Sequence, residues 1–144
     1  MLKKSLMKIS VLALLLAVST GFTTLTVAAE KKRGVVIQMS ENNPAAWNLA
    51  LNNAKNIQQE LGKDKVEIEI VTYGPGINMF KFDSEVANRL AEAEKNGVAL
   101  LACGNTMKAQ KLTEKDLHGS VKVVPAGVVE IMTKQEAGWS YIKP

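Results

Sequence analysis

The sequence predicts an α/β domain in which a parallel sheet is covered by helices on both faces. Three observations lead there. After residue 30, short apolar runs alternate with stretches of helical spacing to the end of the chain, the pattern of repeated strand–helix units. The run Val98 to Ala102 holds no polar residue and lies between Gly97 and Gly104, as suits a strand buried on both sides. Finally, taking 29 leader residues from 144 leaves 115, the size of one ordinary domain with no need of disulfides or metals.

The leader is residues 1–29. Lys3, Lys4 and Lys8 make a basic start, Ile9 to Val18 an apolar block, and Thr26-Val-Ala-Ala29 a small-residue cleavage signal. Together these predict a secretory signal peptide cut after Ala28 or Ala29, and an exported, periplasmic protein whose single domain spans 30–144. The alternative is an uncleaved membrane anchor, since Ile9 to Ala29 carries no charge. Ser19, Thr20, Thr23, Thr24 and Thr26 weigh against it. Three of the 18 basic residues leave with the signal, so 15 remain against 14 acidic ones. The basic balance thus belongs to the leader, and neither a nucleic-acid partner nor, after cleavage, a membrane is expected.

In the remaining chain, Gly34 to Ser40 reads as a buried strand. Asn43 and Pro44 start a helix, with Asn43 as cap and Pro44 in the first helical position. Trp47, Ala50, Leu51, Ala54, Ile57 and Leu61 form its inward stripe and Gly62 ends it. Lys65 to Tyr73 alternates charged and apolar residues before turning fully apolar, so it predicts a strand exposed at its start and buried at its end. Gly74-Pro75-Gly76 breaks it with a backbone free to turn sharply and approach a ligand. Ile77 to Phe82 follows as an apolar loop or short helix. Asp83 or Ser84 is expected to cap the next helix, with Val86, Leu90 and Ala93 inward and Asn96-Gly97 as the stop. After the central strand, Thr113-Glu-Lys-Asp116 resembles a capping box. Val121 to Val124 makes a fourth strand. Val128, Val129, Ile131, Met132 and Gln135 make a last amphipathic helix, and Trp139 to Ile142 a final strand.

The chain's one cysteine, Cys103, closes the central strand just before a predicted helix start at Gly104, Asn105 and Thr106. Open α/β sheets place their ligands at such carboxyl ends. Helix-start amides there favour a thiolate, and Lys108 and Lys111 add positive charge nearby. Cys103 is therefore the candidate catalytic residue, with Gly104, Asn105, Thr106, Gly74, Pro75 and Gly76 as candidate binding residues around it. The reading needs the sulfur to be reachable at the sheet's rim. Phosphate-binding glycine patterns, a nucleophile elbow, HExxH and CxxC are all missing from the sequence. His118 stands alone and reads as a surface histidine, so no metal and no cofactor is expected.

Val35-Val-Ile-Gln38, Tyr73-Gly-Pro-Gly76, Gly97-Val-Ala-Leu-Leu-Ala-Cys103 and Val124-Pro-Ala-Gly127 together resemble the DsrE/DsrF-like family. The resemblance implies a three-layer α/β/α fold with a mainly parallel five-stranded sheet and assembly into homo-trimers or hexamers. In the family's sulfur-relay members, a cysteine ending the third strand carries persulfide sulfur between protein donors and acceptors; Cys103 takes the matching place. The export signal sets this chain in an exported subgroup. Two functions stay open: a persulfide carrier, at most sulfurtransferase-like in turnover, and a non-catalytic homo-oligomeric binding module with a structural cysteine.

Overall fold

A computed structural model describes residues 31–144; the expected signal peptide lies outside the described residues. Five strands, β1 (Arg33–Met39), β2 (Val66–Thr72), β3 (Val98–Cys103), β4 (Lys122–Val124) and β5 (Ser140–Ile142), form one sheet in the order β4-β3-β2-β1-β5. Every pairing is parallel. The helices are α1 (Pro44–Leu61), α2 (Ala87–Lys95), α3 (Gly104–Ala109) and α4 (Gly127–Glu136), with 3₁₀ turns over Gly74–Phe80 and Glu114–Asp116.

The two faces of the sheet are covered unequally. Val35, Ile37 and Met39 of β1, Ile68 and Ile70 of β2, and Leu100 and Ala102 of β3 face the main core beneath α1, α2 and α3. The alternate residues, Val36, Val71 and Leu101, meet one helix among the described residues, α4, through Ile131. One ten-residue helix thus shields the second face, and Tyr73, Ala99, Val124 and Trp139 at its margins are only partly buried.

Several local expectations hold for visible reasons. The Asn43 side chain accepts the Ala45 N–H at 2.9 Å, capping α1. Trp47 is core, its indole N–H donating to the Glu41 carbonyl at 2.8 Å. Gly97 ends α2 with φ +85°, a conformation that suits glycine. Thr113 and Asp116 close a reciprocal capping box. Ile77, Met79 and Phe80 pack into the core while Phe82 stays exposed.

Two expectations need correcting. Neither Asp83 nor Ser84 caps α2, whose cap position falls on Val86. Ser84 instead holds a turn, its carbonyl accepting the Ala87 N–H at 2.9 Å, and the turn sends Val86 into the core. In α4 only Gly127 and Ile131 are buried, whereas Val128, Val129 and Met132 are about half exposed. The sheet beneath is too narrow to receive a wider stripe. His118 is half-buried, with Nδ1 at 2.8 Å from the Ser120 hydroxyl.

Candidate functional site

Register places the thiol. Thr72 of β2 pairs with Ala102 of β3, so Tyr73 and Cys103 come next, side by side at the carboxyl edge. On its other side Cys103 pairs with Val124 of β4. Cys103 lies two residues beyond Leu101, so its side chain points to the α4 face. It also takes the cap position of α3, with extended backbone.

Two helix starts converge there. α3 begins with Gly104, whose Cα lies so close to the carbonyl oxygens of Val124 and Pro125 that an added Cβ would stand 3.2 and 3.4 Å from them. The Asn105 N–H donates to the Pro125 oxygen at 3.2 Å. This contact fixes the strand-to-helix connection that leads into α4. Gly127, the first residue of α4, then sits directly over the site; a Cβ there would lie 3.2 Å from the Cys103 Cβ and 3.5 Å from the Tyr73 Cβ.

Burial pushes the Cys103 thiol up. The opposing groups outweigh it: the backbone N–H of Gly127, the N–H and hydroxyl of Thr106, and the N–H of Asn105 all face the sulfur, and its pKa falls below the ordinary 9.0. Thr106 also ties in the glycine turn, its hydroxyl oxygen accepting the Gly74 N–H at 2.9 Å. Gln110 adds a bond to the Gly74 carbonyl at 3.2 Å.

Of the residues singled out from sequence, the structure brings Cys103, Gly104, Asn105, Thr106 and Gly74 together. Pro75 is exposed, and Gly76 packs on the end of β1, where a Cβ would stand 2.2 Å from the Met39 oxygen. Gly76 thus serves close backbone packing, away from the sulfur. Gly127 and Tyr73 were not singled out as site residues. Their place depends on strand order, and the only local sign was a glycine at a helix start in Val124-Pro-Ala-Gly127.

Access differs from the expectation. Cys103 sits at the rim of the sheet but is only 5% exposed, roofed by the start of α4. Four clefts open elsewhere, between α1 and α2 and at the amino-terminal ends of β1, β2 and β3, and Cys103 lines none of them. Among the described residues, no group of three or more His, Cys, Asp or Glu side chains is placed to hold a metal ion. No described helix is long and apolar enough to cross a membrane.

These features define an open parallel α/β domain with a lone, amide-faced thiol at the carboxyl edge of its sheet. Residues 31–144 match the model of the DsrE/DsrF-like family, and the chain belongs to that family, which is generally associated with sulfur relay. Among solved structures, the protein of unknown function MTH1491 from Methanobacterium thermoautotrophicum is 34% identical with a TM-score of 0.75, over 78% of this chain and 100% of its own. BT1422 from Bacteroides thetaiotaomicron, also of unknown function, is 14% identical with a TM-score of 0.64, over 77% of this chain and 94% of its own. The ychN protein from E. coli is 10% identical with a TM-score of 0.66, over 78% of this chain and 99% of its own. These last two likenesses are of fold. No curated protein matches the chain.

Proposed function

We propose that the protein is an exported carrier of sulfane sulfur, held as a persulfide on Cys103. The observation that supports this is the set of donors facing one sulfur: the Gly127, Thr106 and Asn105 amides and the Thr106 hydroxyl, which together lower the thiol's pKa. In the loading step the Cys103 thiolate attacks the outer sulfur of a donor persulfide, R–S–SH. A new S–S bond forms to Cys103, the donor's S–S bond breaks, and its electron pair leaves with the thiolate R–S⁻. The outer sulfur keeps its proton, and no external oxidant or reductant is needed. An acceptor thiolate removes that sulfur by the same reaction, with Cys103 leaving as the thiolate that the amides stabilise.

The carrier works as a homo-oligomer, as the family resemblance implies, with protein donors and acceptors. Its turnover depends on those partners.

The test is mass spectrometry of the folded protein after incubation with polysulfide. The expected result is a gain of about 32 Da, one sulfur atom, located on Cys103 and removed by a thiol reductant. A second reading, a binding module whose cysteine only packs, is favoured by the 5% exposure of Cys103. Absence of the added mass, with the same outcome for a Cys103→Ser variant, selects that reading.

A further inference from the structure

Sulfur exchange at Cys103 needs a partner sulfur to approach in line, and Cys103 is only 5% exposed. What roofs the thiol is the start of α4, and this helix is held very unequally along its length. At its far end Lys134 Nζ lies 2.7 Å from Glu69 Oε1 of β2 and 3.6 Å from Glu130 Oε1. The same ammonium sits 4.3 Å above the Trp139 ring. That ring in turn lies flat on β1, so tightly over Gly34 that a Cβ there would fall 2.2 Å from it. The Trp139 N–H donates to the Lys134 carbonyl at 3.0 Å, joining helix end to stack.

The near end is held by backbone contacts without an ion pair or ring stack: the Asn105 N–H donates to the Pro125 oxygen at 3.2 Å, and Gly127 packs on Cys103 and Val71. Ala126 stands at the cap position, so no side chain caps the first turn, a place where Ser, Asp or Asn ordinarily fastens a helix start. Val128 and Val129 face outward, leaving only Gly127 and, one turn on, Ile131 against the sheet. Loosely packed first turns open before the rest of a domain.

We propose that the start of α4, residues 127–129, is a gate over Cys103, opening while the Glu130–Lys134–Glu69–Trp139 end stays seated. Its purpose rests on the sulfur-carrier reading: the partner gains the thiol only during opening. Gly127 is the residue that lets the gate close, because any side chain there would press on Cys103 and Val71, each 3.2 Å from the added Cβ.

The experiment is alkylation of Cys103 by iodoacetamide in the folded protein, at one low protein concentration and across a urea series below the unfolding transition. Local opening exposes little surface, so the logarithm of the rate is expected to rise with urea at less than about half the slope of global unfolding. Gly127→Ala, which wedges the gate, is expected to react about tenfold faster without urea. Three results each overturn the gate: a slope equal to that of global unfolding, a rate equal to that of a free thiol, or an unchanged rate in folded Gly127→Ala. The wild-type slope decides the matter by itself if the variant does not fold. At one fixed pH the urea slope of alkylation reads access, whereas the added sulfur mass reads chemistry. A shallow slope without persulfide therefore refutes the carrier and keeps the gate; persulfide with a global slope does the reverse.

Discussion

The Thr106 hydroxyl accepts the Gly74 N–H at 2.9 Å, which leaves its own proton free to face the Cys103 sulfur. One side chain thus joins the glycine turn to the thiol. Thr106→Val removes both roles. Its loss is expected to move the alkylation–pH midpoint of Cys103 upward, toward the ordinary thiol value, and to cost about 1 kcal/mol for the stranded Gly74 N–H. The pH dependence follows in sign. The native pKa lies below the ordinary 9.0, so the thiolate's contribution to stability is full above that value and is lost as pH falls through the lowered one. Urea unfolding from pH 6 to 10 is expected to show that gain in the wild type and a smaller one in Thr106→Val. An unmoved midpoint means the hydroxyl does not face the thiolate. The place of Cys103 and Thr106 at the carboxyl edge was legible at this scale because a strand-to-helix junction is a local pattern. Gly127 was not: it reaches the sulfur only because β4 lies beside β3.

α4 shows how an element is held when its apolar surface is small. Only Ile131 packs as a full side chain, and the half-buried Lys134–Glu69 pair supplies the other attachment. Burial lowers the Lys134 pKa, but Glu69 and Glu130 outweigh it and hold it above the ordinary 10.5. Its stabilisation is therefore present below that value and lost as pH rises through the raised one. Glu69 has little exposure, and its second oxygen, Oε2, is buried without a hydrogen-bond partner in the described structure. Lys134→Met, which leaves that carboxylate alone, is expected to cost about 2 kcal/mol. Adding Glu69→Gln is expected to recover part of the loss, a coupling that four urea titrations measure. Simple additivity means that the two groups do not support each other. The sequence announced a helix here but not its inward face. Val128, Val129 and Met132 fit an apolar stripe as well as Ile131 does, and only the narrow sheet beneath decides among them.

At the scale of the molecule, unequal covering of the two sheet faces is the main consequence of strand order. Alternating strands and helices foretold a parallel sheet, since each crossover must span a face. How many helices fall on each side depends on where each strand docks, and that is set by contacts distant in sequence. The result leaves Val128, Val129 and Met132 exposed along the one helix that guards the thiol. These residues are the surface we propose for contact between copies, so that association and gate opening would draw on the same turn of helix. A Val129→Lys, Met132→Lys double variant is expected to keep its fold, both positions being exposed, and to sediment as a smaller species than the wild type. The alkylation rate per thiol is expected to fall as wild-type concentration rises through the association midpoint, because a neighbour seated on α4 holds the first turn down. The double variant is expected to lose this dependence and react at the dilute wild-type rate throughout. If it sediments with the wild type, copies meet elsewhere. If it dissociates while wild-type alkylation stays independent of concentration, the contact lies on α4 beyond its first turn and leaves the gate free.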